Sequence, residues 1–307
     1  MLKFYADLHC DTLWRCYEQR RDLSHPALQI KDDSSFIHLQ NYAIYIADGI
    51  DDSMDYFRKV YDHSRRLFGA HPCYVQCKNV GDIHRALAKG KKPYLLSIEG
   101  GCLFNGSNRH DVAVAEELKA KGIAFVSLCY NGGNALAGGA HTPDKSLTDA
   151  GKSVVKLLRE CGISVDISHL NFRSADEILE LLSDGVVATH SNCYSLMNHP
   201  RNLKDHQIKE LIRKKGLIGL NFYPPFLRGE TADSEDILKH LTYLEALGGE
   251  EVIAFGSDFD GIESVPTDLS SSEDLPYFYE KLFSKVGERA EQYCFGNVMR
   301  YLERNFK

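Results

Sequence analysis

Residues 163–202 read ISVDISHLNFRSADEILELLSDGVVATHSNCYSLMNHPRN. An apolar run ends in Ser168-His169, a segment with helical spacing follows, and a second apolar run ends in His190-Ser191. Strand, helix and strand in that order make a βαβ unit, in which the helix returns the chain so that both strands point the same way. His169 and His190 are therefore expected side by side at the carboxyl edge of a parallel sheet, the edge at which such folds bind ligands and metals. Arg201 follows His190 by eleven residues, within reach of the same rim.

The alternation continues in both directions from this stretch. Short apolar runs near 4–9, 39–47, 93–99, 123–128, 163–167, 186–190, 217–222 and 252–257 predict eight strands. Between them, 54–68, 82–89, 111–121, 150–161, 175–183, 206–214 and 234–247 carry apolar residues at helical spacing. Ser174-Ala175-Asp176-Glu177 fits a capping box. Gly122, Gly162, Gly185, Gly216 and Gly248 stand where a left-handed helix end favours glycine. Eight strands with helices between them predict an α/β fold of the (β/α)8 TIM-type barrel. With no low-complexity linker, 1–307 reads as a single domain, and 278–306 as extra C-terminal helices closing one end.

Composition narrows the function. At 307 residues and 43% hydrophobic, the chain can bury a large core. A net charge of −7 with scattered Lys and Arg argues against nucleic acid, which needs a concentrated basic patch, and points to small molecules. Nine cysteines, an odd number lying mostly in or beside predicted elements, suggest reduced, buried thiols. Cys73-x3-Cys77 has no second pair to complete a structural zinc site. Met1-Leu2-Lys3 runs straight into the first predicted strand, leaving no cleavable signal, and no run of 18 apolar residues occurs. A soluble, cytoplasmic protein with no membrane contact is expected.

On a barrel the chemistry stands at the carboxyl ends of the strands. There the sequence places His9-Cys10-Asp11, Glu99-Gly100-Gly101, Ser168-His169, His190-Ser191 and Asp258-Phe259-Asp260. Each has an ordinary explanation when taken singly. His9-x-Asp11 is an alternation that chance supplies, Glu99 a cap or surface turn, His169 a satisfied core histidine, and Asp258 and Asp260 turn formers. Five such groups at the same end of five strands do not share one. Three imidazoles and at least three carboxylates at one mouth call for a compensating cation, and mixed His and carboxylate donors suit zinc, iron or manganese. The carboxylate share favours two ions over one. Cys10 should face away from His9 and Asp11. His25, His38, His63, His71, His84, His110, His141, His206 and His240 read as surface or loop residues, whereas His199, close to Arg201, is a candidate for the substrate's surroundings.

Together, His9-x-Asp11, Ser97-Ile98-Glu99-Gly100-Gly101, Asp166-Ile167-Ser168-His169, Thr189-His190-Ser191 with His199-Pro200-Arg201-Asn202, Asn221-Phe222-Tyr223 and Gly256-Ser257-Asp258-Phe259-Asp260-Gly261 resemble the renal (membrane) dipeptidase family of zinc metallopeptidases, as a soluble bacterial-type member. The likeness runs in order over nearly the whole chain. The 21 residues from His169 to His190 and the 11 on to Arg201 are its most specific intervals. The resemblance implies two zinc ions at the barrel mouth, one held by His9 and Asp11, the other by His169 and His190, with Glu99 bridging. It also implies Asp258 as the proton-transfer carboxylate, Arg201 as the clamp on the substrate carboxylate, and a homodimer. One departure is Tyr130, where many family members carry a substrate-contacting histidine; a phenol can donate a hydrogen bond but offers no imidazole. Segments 30–38 and 226–233 do not match the family pattern and are expected as loops near the pocket.

The expected reaction is hydrolysis of the amide bond of a small dipeptide. A hydroxide shared by the two ions would attack the carbonyl, and Asp258 would pass its proton to the leaving amine. Arg201 would hold the free carboxylate in a bidentate fork and so limit substrate length. Tyr130 and Tyr223 are expected to contact the substrate. A related two-metal hydrolase of another small amide, ester or lactone is the alternative. A binder without catalysis is the third reading, disfavoured because it has no need of Asp258 beside a full ligand set.

Overall fold

The apolar runs form strands where the alternation predicts them. A computed structural model describes residues 4–32 and 36–307. Its described residues form nine parallel strands: β1 (Ala6–Cys10), β2 (Leu39–Tyr45), β3 (Tyr74–Gln76), β4 (Lys92–Glu99), β5 (Ile123–Ser127), β6 (Ser164–Asp166), β7 (Val186–Ala188), β8 (Leu217–Leu220) and β9 (Ile253–Phe255). Eight follow one another as β1-β2-β4-β5-β6-β7-β8-β9, and β3 pairs with β4 outside that path. The ring comes round where Asp258 N donates to His9 O at 3.0 Å and Asp11 N to Phe259 O at 2.9 Å. This is the (β/α)8 barrel, with β3 as an addition that three half-buried residues could not announce by periodicity.

Helices at Ser53–Gly69, Val80–Ala88, Asn108–Lys121, Asp149–Glu160, Phe172–Leu181, Asp205–Arg213 and Ser234–Ala246 occupy the seven expected places. Two local expectations are corrected. The cap of Phe172–Leu181 is Asn171, whose side chain accepts from Ser174 N at 2.8 Å, a contact worth about 1 kcal/mol. Ser174 instead lies inside the helix and its Oγ accepts from Gly138 N, while Glu177 accepts from Leu147 N. At Gly216 the reason for glycine differs from the expected one: Lys215 takes the left-handed turn at φ 53°, and a Cβ on Gly216 would lie 2.6 Å from Val186 O.

The C-terminal helices close the barrel at the end away from the strand termini just described. Helix Asn297–Asn305 packs Val298, Met299, Tyr301 and Leu302 with Ala6, Leu39, Leu217 and Ala254. Tyr301 donates to Ser164 Oγ at 2.8 Å and Asn297 Nδ2 to Ile253 O at 2.7 Å, both at strand starts. Each fully buried side chain there stabilises the fold by about 1.5–3 kcal/mol. Only the carboxyl-end mouth is left for chemistry. All nine cysteines are free, six of them buried. Among the described residues no helix is long and apolar enough to cross a membrane. Met1 to Lys3, on which the reading of a missing signal rests, lie outside the described residues, as do residues 33–35 of segment 30–38. No described residue of that segment lines the mouth, contrary to expectation, whereas Phe226 of segment 226–233 does.

Candidate active site

Strand alternation sends Asp7, His9 and then Asp11 to the barrel interior. Asp7 lies beneath His9 and accepts from His9 N, Ser257 N and Ser257 Oγ; burial pushes its carboxyl up to about 6 against those hydrogen bonds. His9 Nε2 faces Asp11 Oδ2 at 3.3 Å, Glu99 Oε2 at 3.7 Å and Asp258 Oδ1 at 3.8 Å. It is buried yet makes no hydrogen bond. Burial alone would lower its pKa, but Glu99, Asp11 and Asp258 override that and push it up to about 10. Cys10 does point the other way, with Sγ 3.6 Å from Asn41 O.

Glu99 ends β4, and two glycines follow it. Gly100, at φ 100°, passes against Ile46 O, and a Cβ on Gly101 would lie 2.7 Å from Leu128 O. The chain therefore leaves between its neighbours while the carboxylate stays at the centre. Glu99 Oε1 is 2.6 Å from His169 Nε2 and 3.7 Å from His190 Nε2, whereas Oε2 faces His9. Burial first, then the charge of Asp11, pushes the Glu99 carboxyl well above its usual range.

The two histidines of the opening stretch meet at 2.8 Å between their Nε2 atoms. Their other nitrogens show which tautomer each carries. His169 Nδ1 is 2.9 Å from Asn131 Oδ1, an acceptor. His190 Nδ1 is 2.8 Å from Thr189 Oγ1, whose own proton goes to Asp166 Oδ2. Both Nδ1 atoms therefore donate, leaving both Nε2 atoms as bare lone pairs aimed at one another. Arg201 Nη2 donates to His169 Nε2 at 3.0 Å, consistent with that assignment. Burial, reinforced by Arg201 and His9, holds both imidazoles well below their ordinary pKa. Outer partners of this kind orient metal-binding imidazoles.

His169 and Asp258 both adopt left-handed backbone, at φ 70° and 62°, a strain of order 1–3 kcal/mol for such residues that concentrates at functional sites. Asp258 Oδ2 accepts from Asn221 Nδ2 at 2.8 Å, leaving Oδ1 towards His9; burial raises its pKa. A Cβ on Gly261 would collide with Asp11 and Asp258, so glycine is what allows the two carboxylates to approach. Asp260 does not join them. It turns away, accepting from Thr12 Oγ1 and Gln29 N at 2.6 and 2.8 Å.

These residues floor a cavity of about 390 Å³, also lined by Trp14, Tyr45, Tyr130, Asn131, His141, His199, Arg201, Tyr223, Phe226 and Glu263. Tyr130 stacks on His169 with centroids 4.5 Å apart, and Tyr45 meets Tyr130 edge-on at 4.9 Å. Arg201, almost fully buried, lies 5.5 Å from the Phe226 ring. His199 Nδ1 accepts from Arg201 N at 3.2 Å. Two of the histidines read as peripheral are otherwise: His141 lines the cavity, and His240 is buried between Cys193 N and Leu227 O. No spacing ties Trp14, Tyr45 and Asn131 to the strand-end groups, and Thr189 and Asn221, though they stand in stretches that carry the resemblance, were given no role of their own.

The donor set fits a cation. Orphaned His9 Nε2, two facing lone pairs and three neighbouring carboxylates are mutually unfavourable without positive charge. Ligand atoms of His9, Glu99 and His190 lie within 4.8 Å of one another, as do those of His9, Asp11 and Asp258.

Comparison with known proteins gives a consistent picture. The sequence model of the membrane dipeptidase family (peptidase family M19) matches residues 3–305. A Klebsiella pneumoniae protein, described as uncharacterized and from the pqqA 5′ region, is 31% identical over 212 residues, 65% of this chain and 76% of that one. An uncharacterized dipeptidase of Schizosaccharomyces pombe is 28% identical over 211 residues, 66% of this chain and 50% of its own length, so the match spans half of that relative. Dipeptidase AC, a metallo peptidase of family M19, superposes with a TM-score of 0.91 at 21% identity over 100% of this chain and 99% of its own. A metallo peptidase from Rhodobacter sphaeroides, solved with a phosphinate mimic of the dipeptide L-Ala-D-Ala, gives 0.90 at 21% over 99% and 100%. At such identities the likeness is one of fold.

Proposed function

This chain belongs to the membrane dipeptidase family, peptidase family M19, and is a metallodipeptidase, and from that premise we propose that it hydrolyses small dipeptides at a centre of two zinc ions. His9 and Asp11 would hold one ion, His169 and His190 the other, and Glu99 both. The observation that supports this most is the splitting of Glu99, one oxygen towards His9 and the other towards His169 and His190.

When bound, the ions supply Lewis acidity to the scissile carbonyl and acidify water towards neutrality. The remaining work falls to the chain. Asp258 Oδ1, with its partner oxygen tied to Asn221, takes the proton of the attacking water and returns it to the leaving nitrogen. Once the His169 lone pair is engaged, the Arg201 fork is free for the substrate's terminal carboxylate, with Phe226 packed against it. Tyr130, stacked on His169, and Tyr223 form the walls that exclude water. Asn131 and Thr189 keep both Nε2 atoms unprotonated.

The test is elemental analysis after zinc reconstitution, with a hydrolysis panel of dipeptides, N-acyl amino acids, esters and lactones. Two ions per chain and turnover of dipeptides are expected. Fewer than two ions overturns the binuclear centre, and turnover of another class alone overturns the dipeptide in favour of a related two-metal hydrolase. Arg201→Met should raise KM for dipeptides about 30-fold or more, the cost of truncating a buried charge partner, with kcat within a few-fold. An unchanged KM would remove Arg201 from substrate binding.

A further inference from the structure

The mechanism above uses every charged group lining the cavity except Glu263. This carboxylate lies two residues beyond Gly261 in the loop after β9, and its Oε2 accepts from the Tyr223 hydroxyl at 2.7 Å. Among the described residues it has no ion-pair partner. Three contacts separate it from the carboxylate clamp: Arg201 over Phe226 at 5.5 Å, Phe226 edge-on to Tyr223 at 4.9 Å, and Tyr223 to Glu263. Gly261, two residues earlier, lies against Asp11 and Asp258, so Glu263 rises from the side of the mouth that takes the first residue of a dipeptide, away from the clamp on the second.

Its depth matters too. The α-ammonium of a dipeptide is one carbon from the scissile carbonyl, so it must lie deep, beside the buried Asp11 and the part-buried Asp258. Glu263 is exposed at the rim and can be reached only by a longer group. The surroundings are anionic: burial raises the Tyr223 phenol to about 12, helped by Glu263 and further by Asp258 and Glu230. A fixed, uncompensated carboxylate beside a cavity attracts positive charge.

Resting on the dipeptidase reading, we propose that Glu263, held by Tyr223, is a specificity residue that receives a cationic side chain, lysine or arginine, on the first residue of the substrate. Tyr223 fixes the carboxylate by one hydrogen bond and leaves its second oxygen to the incoming ammonium or guanidinium.

The test compares kcat/KM of the zinc-loaded wild type, Glu263→Gln and Glu263→Lys on Lys-Ala, Leu-Ala and Glu-Ala. The wild type should favour Lys-Ala. Glu263→Gln should lower the Lys-Ala to Leu-Ala ratio by roughly 2- to 5-fold, the size of one solvent-screened charge pair, and Glu263→Lys should reverse the order of Lys-Ala and Glu-Ala. Unchanged ratios in both variants overturn the proposal. So does an equal fall for Lys-Ala and Leu-Ala, the pattern of a contact to the α-ammonium common to both. Turnover of none of the three by the wild type overturns the dipeptidase reading and this proposal with it, whereas turnover with unchanged ratios overturns the proposal alone.

Discussion

Glu99→Gln should strip the protein of most of its metal, lowering affinity beyond the roughly 10–100-fold typical of losing an outer partner of a ligand, and activity should fall with it. The substitution keeps the volume and removes the one charge that faces both ligand pairs. Added zinc should then cease to raise the melting temperature, where the wild type gains about 2.7 kcal/mol at a hundred times Kd. The metal-free variant should melt no lower than the metal-free wild type. Burial and the charge of Asp11 make the ionised Glu99 unfavourable in the folded state, so removing its charge relieves repulsion. Two ions retained by Glu99→Gln in elemental analysis would refute the bridging role.

Asp258→Asn is the second large effect. The amide keeps the shape and can still accept from Asn221, but it cannot carry a proton. A fall in kcat of roughly 10²- to 10⁴-fold is expected, with KM and metal content close to wild type. The metal measurement decides between two roles, because Asp258 also lies within ligand distance of His9 and Asp11. Loss of an ion from Asp258→Asn would assign it to the ligand set and not to proton transfer.

What the sequence disclosed depended on length and repetition. The eight barrel strands are apolar runs bounded by polar residues, and each reads as such, whereas β3 and the helix Thr12–Glu18 are too short to show a period. Ser174 imitated a cap because the true cap, Asn171, also stands three residues before a residue that it serves. The groups now gathered at the mouth were legible because strand ends on a barrel converge. Asp260 was not distinguishable from Asp258 in the same turn; left-handed backbone at both positions sends the two carboxylates opposite ways. The roles of Asn131, Thr189 and Asn221 were hidden for another reason, although the last two stand in stretches that carry the resemblance: they are hydrogen bonds to residues 38, 1 and 37 positions away, and only the first and last need the fold to meet. The Thr189 contact is local, yet its sense is set by Asp166, on the neighbouring strand.

The seam between β9 and β1 has a consequence for how the protein is made. His9 and Asp11 leave the ribosome well ahead of Asp258 and Phe259, which close the ring through Asp258 N to His9 O and Asp11 N to Phe259 O. Pairing across so much chain is slow, since loop closure must precede any gain from contact. Assembly of the mouth is thus a late event in synthesis, and a nascent chain stalled before residue 258 carries the first ligands without the partner that completes their surroundings.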